Sequence, residues 1–316
     1  MITIPPFIQD GKFYFSHPNS IQQSSFSKLL FPCKTNSPIT ESGAVSVDTL
    51  LSVRNLLSTM GAGCPFQPSF TGSLIAGIQI LCGVNLSNSY FVDIGSYDGS
   101  VADGYMQLMK QANVFKQISA LCLIEIIESM CDQMENKYKH QVDPVVHVVN
   151  KAIHHKSGYM QRYLKDENSD NEIYSLLSTR EIGCFDQTST NTVECCRLDD
   201  LHNDLLSKYG FPRAVRIQVN GREYDVIRSF GELIEHVDII SFTMAAFGFE
   251  YLGYNLIHDY LSSNQFVVLR MTPHGFYVLP SPEYIDNKIP FITNYIAIKT
   301  ELFQSHIIPR AIDFFI

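Results

Sequence analysis

Short apolar runs recur along the middle and end of the chain, and helix-like segments separate them. The runs are YFVDI (90–94), ALCLIE (120–125), VVHVV (145–149), AVRIQV (214–219), VDIISF (237–242) and FVVLRM (266–271). Five or six near-continuous apolar residues match strands buried on both faces. Between them, VADGYMQLMKQANVF (101–115), SMCDQMENKY (129–138), LDDLHNDLLSKYG (198–210), EYDVIRSFGELI (223–234) and YNLIHDYLSS (254–263) place apolar residues three and four apart. That spacing predicts amphipathic helices. Ser100 and Asp103 form a candidate capping box for the helix that begins near 101. GFYVL (275–279) follows FVVLRM across TPHG, which predicts an antiparallel hairpin at the sheet edge. Alternating strands and helices predict an α/β fold with a doubly wound, mostly parallel sheet.

The N-terminal part has a different pattern. Residues 1–45 are rich in Ser, Pro, Asn and Gln, with a candidate hairpin across Asp10-Gly11. SVDTLLSVRNLLSTM (46–60) has helical spacing with Ser46 as its cap, and PSFTGSLIAGIQIL (68–81) reads as a second short helix. The chain therefore divides into an arm with helices (1–85), a lid or dimer surface, and an αβ domain (86–316). The stretch 160–192 is polar and without clear period, and is expected to be a lid insertion.

Composition narrows the function classes. The 316 residues carry a formal net charge of −9, and no Lys/Arg cluster stands out, so nucleic acid is not an expected partner. The most apolar stretch, SLIAGIQILCGV (73–84), is too short to span a bilayer, and the N-terminus lacks a signal-peptide pattern. The eight cysteines include no CxxC pair, which is the usage of reduced, cytoplasmic thiols.

The chemistry concentrates at DIGSYDG (93–99), where the first strand of the series runs into a turn. In open α/β sheets ligands sit at the carboxyl ends of the strands. Gly95 and Gly99 allow a tight turn, but G-x-x-x-G is an incomplete dinucleotide fingerprint, and no phosphate-loop lysine follows. Asp93 and Asp98 would repel a pyrophosphate. They suit a cationic nucleoside such as S-adenosylmethionine, which carries an ammonium and a sulfonium and no phosphate. Glu125 ends the second strand, 26 residues past Gly99, where a carboxylate can accept ribose hydroxyls. Asn150 ends the third strand, near an adenine edge. Asp93, Gly95, Ser96, Tyr97, Asp98, Gly99, Glu125, Ile126 and Asn150 are the candidate cofactor residues. Gly-rich turns are also common without ligands, and Asp98 can serve simply as a helix cap.

These residues resemble the FkbM-type family of S-adenosylmethionine-dependent methyltransferases over about 86–280. YFVDIGSYDGS resembles that family's first motif, and Glu125 its ribose-binding acid, with Ile126 in place of the usual proline. VVNKAIHHKSG (148–158) resembles its Asn-x-Ala segment, RLDDL (197–201) its Leu-Asp-Asp/Glu-Leu element, and VRIQVNGREYDVIRSFGELI (215–234) its Lys-Ile-Asp-Val-Glu-Gly-x-Glu signature. In the last, Arg216 stands for Lys, Gln218 for Asp and Asn220 for Glu, while Gly221 and Glu223 remain. His155 stands where an acid is frequent. The resemblance implies a Rossmann-like class I methyltransferase fold, with seven strands and the last antiparallel. It also implies O-methylation of a sugar, glycan or natural-product-like acceptor.

A hydroxyl acceptor needs a group to take its proton. His154, His155, Glu223 and Gln218 are the catalytic candidates, with His274 a structural turn residue. The histidine pair also has metal-binding capacity, but no metal is assigned. Glu223, Asp199 and Asp200 sit where carboxylates simply favour a helix N-terminus. Two other readings follow from the same residues. One is a catalytically inactive cofactor-binding scaffold, suggested by the lost acids at 218 and 220. The other is a nicotinamide-dependent oxidoreductase, which the acidic turn disfavours.

Overall fold

The computed structural model describes residues 7–9, 12–14, 68–164, 174–175, 190–219, 221–244, 252–272, 275–278 and 293–307. A small hairpin, β1 (Phe7–Gln9) and β2 (Lys12–Tyr14), forms across Asp10-Gly11 as the turn residues predict. The expected helix over 46–60, His274, Asn220 and most of the expected lid lie outside the described residues.

Helix α1 (Pro68–Leu81) precedes β3 (Ser89–Ile94), α2 (Ser100–Gln111), β4 (Ala120–Ile124), α3 (Glu128–Tyr138) and β5 (Val145–Val149). Next come β6 (Ala152–Ile153), β7 (Gly158–Leu164), β8 (Tyr174–Ser175) and β9 (Thr190–Cys196). Helix α4 (Leu198–Leu201) continues as wider and then tighter helical turns to Tyr209 and leads into β10 (Phe211–Ile217). The chain closes with α5 (Glu223–Arg228), β11 (Ile239–Met244), α6 (Leu252–Ser263), β12 (Phe266–Thr272), β13 (Gly275–Val278), β14 (Thr293–Lys299) and α7 (Thr300–Leu302).

The main sheet has the order β5-β4-β3-β10-β11-β14-β12-β13. Strands β5, β4, β3, β10 and β11 are mutually parallel, and β14 runs antiparallel between β11 and β12. This is the expected doubly wound, mostly parallel seven-stranded sheet, with β13 added as an eighth edge strand through the predicted hairpin. Strand β14 has no counterpart in the sequence-based expectation, although its insertion is what makes the antiparallel strand an interior one.

Both faces of the sheet are dry. Phe91, Leu121, Leu123, Ala214, Ile239 and Ile296 pack under α1 and α2. Val92, Ile94, Cys122, Ile124, Val215, Ile217, Ile240 and Phe242 pack on the other face with Val226, Ile227, Ile257 and Leu261 of α5 and α6. Each such aliphatic side chain contributes about 1.5–3 kcal/mol on full burial, which explains why these strands carry no polar alternation. Helix α1 is built into this body: Ser73 Oγ donates to the Gly104 carbonyl of α2 at 3.0 Å.

A second sheet, β6-β9-β7-β8, stands beside the first. It takes up 158–164 and 190–196, including both ends of the segment expected to be a lid. In β9 exposed Thr192 and Glu194 alternate with buried Val193 and Cys195, so it lacks the apolar runs that marked the main sheet.

Candidate functional site

The order of strands reverses between β3 and β10, which opens a crevice at their carboxyl ends. The turn after β3 lies there. Gly95 has φ +79°, and a Cβ on it would come within 2.0 Å of the Gln218 carbonyl oxygen after β10. Only glycine fits. Ser96 Oγ donates to the Asp93 carbonyl at 2.7 Å and accepts from the Ile124 N–H at 3.0 Å. Tyr97, 45% exposed, takes φ +50°, an uncommon backbone state for a bulky residue. Gly99, at φ +77°, caps α2, and a Cβ there would meet the Tyr138 hydroxyl at 2.6 Å.

The expected Ser100/Asp103 capping box does not form. Ser100 is the first helical residue, and the N-cap position is held by Gly99, which has no side chain to cap with. Asp98 Oδ1 instead accepts from the Ser100 N–H at 2.9 Å and from its hydroxyl at 2.5 Å. Asp103 accepts from Tyr138 Oη at 2.8 Å and Lys137 Nζ at 2.5 Å. The Lys137 ammonium also reaches the Asp98 carbonyl at 3.0 Å. Asp98 thus acts as a turn-former.

Asp93 is fully buried, in register with Arg216 on β10. Arg216 Nη1 donates to Asp93 Oδ1 at 3.0 Å and to the Gly95 carbonyl at 2.7 Å, while Nη2 donates to Gln218 Oε1. Asp93 Oδ2 is buried without a hydrogen-bond partner. Burial pushes the Asp93 carboxyl above its ordinary range, against the pull of Arg216.

Glu125 and Asn150 link the neighbouring strand ends to this turn. Glu125 Oε2 accepts from the Tyr97 N–H at 2.8 Å. Its Oε1 accepts from Ile126 N–H at 2.7 Å and Ile127 N–H at 3.0 Å. Burial raises the Glu125 carboxyl, and these three amides oppose the rise. Asn150 Nδ2 donates to the Glu125 carbonyl at 3.0 Å and to Cys131 Sγ at 3.4 Å. The structure therefore gathers the cofactor candidates at the ends of β3, β4 and β5.

On the other side of the crevice, the turn after β10 carries Gln218 and Glu223. Glu223 is buried: Oε1 accepts from Val219 N–H at 3.2 Å and Oε2 from Gly221 N–H at 2.9 Å. It fixes the loop. His154 and His155 follow β6, and the His154 N–H is held by the Cys196 carbonyl of β9 at 3.0 Å. The Arg197 guanidinium holds the His155 carbonyl at 3.1 Å. Both rings face Asp225 of α5: His155 Nδ1 lies 2.7 Å from Oδ1 and His154 Nε2 3.5 Å from Oδ2. The His155 Nδ1 contact is close, but its direction is not that of a hydrogen bond. Arg222 Nη1 reaches Asp225 Oδ2 at 3.2 Å. Burial pushes the Asp225 carboxyl up, but the bond and charge of His154, then Arg222 and His155, outweigh it and hold it at about 2. Burial and then the neighbouring His154 hold His155 below the usual imidazole range, outweighing Asp225.

Asp225 was missing from the sequence-based candidates. It sits in the first turn of a helix, where a carboxylate has an ordinary structural explanation. The signal that finds it is the fold, which carries the histidine pair of a distant loop onto that turn.

No family model matches the chain, and no curated protein matches it. Solved structures of similar shape exist at low identity. A methyltransferase FkbM from Methylobacillus flagellatus is 13% identical with a TM-score of 0.41; the match covers 87% of this chain and 57% of that one. This chain thus spans little more than half of that protein. An rRNA methylase from Streptococcus thermophilus is 8% identical, TM-score 0.36, over 70% of this chain and 93% of that one. A magnesium protoporphyrin IX methyltransferase from Synechocystis, solved with bound SAM, is 10% identical, TM-score 0.36, over 78% and 83%.

Proposed function

We propose that this protein is an S-adenosylmethionine-dependent methyltransferase acting on a hydroxyl of a sugar, glycan or natural-product-like acceptor. The observation that carries the reading is the linked set of strand ends. A glycine turn without room for a Cβ, Glu125 bonded to the Tyr97 amide, and Asn150 bonded to Glu125 meet where a doubly wound sheet holds its ligand. The unpartnered Asp93 Oδ2 fits a cationic group. In this reading Asp93 holds the cofactor's ammonium, Glu125 accepts from its ribose hydroxyls and Asn150 lies at its base.

The cofactor supplies a methyl group on a sulfonium, already a strong leaving group. The protein's part is alignment and handling of the acceptor proton. Gln218, held by Arg216, orients the acceptor by hydrogen bonds. His155, held by the Arg197 contact to its carbonyl and kept neutral by its surroundings, faces Asp225 on the acceptor side and is able to take the proton. Glu223 positions the loop through the Val219 and Gly221 amides.

A second reading has a specific observation behind it. Arg216 already neutralises Asp93, and Gln218 replaces an acid, which suits a protein that binds the cofactor without turning it over. The test is release of S-adenosylhomocysteine in the presence of hydroxyl-bearing acceptor pools. Turnover that falls at least tenfold in His155→Ala supports the methyltransferase. Cofactor binding with no turnover on any pool leaves the binding protein.

A further inference from the structure

Two imidazoles and a carboxylate from distant parts of the chain converge at one point. His154 and His155 come from the loop after β6, and Asp225 comes from α5. Their donor atoms all lie within 4.8 Å of one another. We propose that His154, His155 and Asp225 form a binding site for a divalent transition-metal ion of the zinc class.

The donor set is the first argument. Imidazole with a single carboxylate suits zinc, cobalt or ferrous iron, and is poorly matched to magnesium or calcium, which take oxygen cages. Donors sharing one tetrahedral ion at ~2.1 Å stand about 3.4 Å apart, so donors as far apart as 4.8 Å need to close by up to roughly 1.4 Å. Three protein ligands leave a fourth position open, as in catalytic rather than structural zinc sites.

The second argument is the contact between His155 and Asp225. Nδ1 and Oδ1 lie 2.7 Å apart, yet Nδ1 is buried with no hydrogen-bond partner. An imidazole nitrogen and a carboxylate oxygen side by side in that geometry are an arrangement that a cation lying beside both would satisfy.

The third argument is the supporting shell. Metal-bound imidazoles usually give their other N–H to a backbone carbonyl or carboxylate. His154 Nδ1 lies 3.3 Å from the Lys156 carbonyl, which suits a Nδ1–H donor and leaves Nε2 bare toward Asp225. The Lys156 N–H at 3.2 Å from the same nitrogen marks the alternative tautomer, the one expected without an ion. Arg222 binds Asp225 Oδ2 and so leaves Oδ1 for the ion. Arg197 fixes the His155 backbone.

The site stands independently of the cofactor reading, an ion on His155 would take that side chain out of the proton-accepting role proposed above, and the test uses no cofactor. The full chain is stripped with chelator and titrated with Co(II) in the absence of any nucleoside, with Mg(II) as control. One equivalent is expected to give visible d–d absorption, without the near-ultraviolet band of thiolate ligation, and Zn(II) should displace it. Folded His155→Gln and Asp225→Asn are each expected to weaken binding at least tenfold. The proposal is overturned if wild type gives no such spectrum at one equivalent, or if the band carries thiolate character. It also fails if both variants, folded by circular dichroism, bind as wild type does. Should one variant fail to fold, the wild-type spectrum and His154→Gln decide by the same criteria.

Discussion

Arg216 is the residue on which the local chemistry turns. Its guanidinium ties Asp93, the Gly95 carbonyl and Gln218 into one cluster at the ends of β3 and β10. Removing one partner of a buried pair leaves an uncompensated charge, which typically costs 3–5 kcal/mol, whereas replacing both partners with apolar groups is often neutral. Arg216→Met is therefore expected to destabilise by about 3–5 kcal/mol, and Asp93→Leu combined with Arg216→Met by much less. Urea unfolding of the two variants checks this. The sequence pointed to Asp93 and to the turn glycines, because spacing and strand-end position identify them. It did not show that Asp93 meets an arginine, since their pairing requires β3 and β10 to be neighbours across 123 residues. Asp98 and Glu223 had helix-end explanations from the outset, and their side chains are spent on backbone amides and a neighbouring hydroxyl.

At the scale of elements, α1 and α2 pack more closely than side chains normally allow. A Cβ on Gly104 would lie 1.8 Å from the Ser69 carbonyl oxygen. In a free helix Gly→Ala gains up to about 1 kcal/mol, but here the obstacle is backbone and cannot rotate away. The clash wins, and Gly104→Ala is expected to lose about 2–3 kcal/mol, in the range of overpacked cores. Thermal unfolding reads it directly. The long apolar runs made the six main strands legible, since a strand buried on both faces has no polar alternation to blur it. Strand β14 was not legible because TNYIAIK follows a stretch with no helix pattern. The second sheet was hidden for a different reason: its strands mix polar and apolar residues and read as loop.

For the whole molecule, pH dependence follows from buried carboxylates. Burial lifts Asp238 from its ordinary value to about 6, more than Arg213 and Lys299 pull it back. The folded state therefore holds this proton more tightly than the unfolded chain. The associated stability is full below about pH 4 and is lost as pH rises through about 6, an effect on the order of 2–3 kcal/mol. The difference in unfolding free energy between wild type and Asp238→Asn, measured from pH 4 to 8, should follow that curve; a flat difference would show that Asp238 is not perturbed. Among the described residues no helix is long and apolar enough to cross a membrane.

The central claim is that the linked ends of β3, β4 and β5 hold S-adenosylmethionine, and calorimetric titration tests it most directly. Wild-type protein is titrated with S-adenosylmethionine, S-adenosylhomocysteine and NADH. Stoichiometric binding of the first two, weakened at least tenfold in Gly95→Ala, with no heat from NADH, is the predicted result. Absence of binding by both methyl-cycle ligands, or preference for NADH, would contradict it.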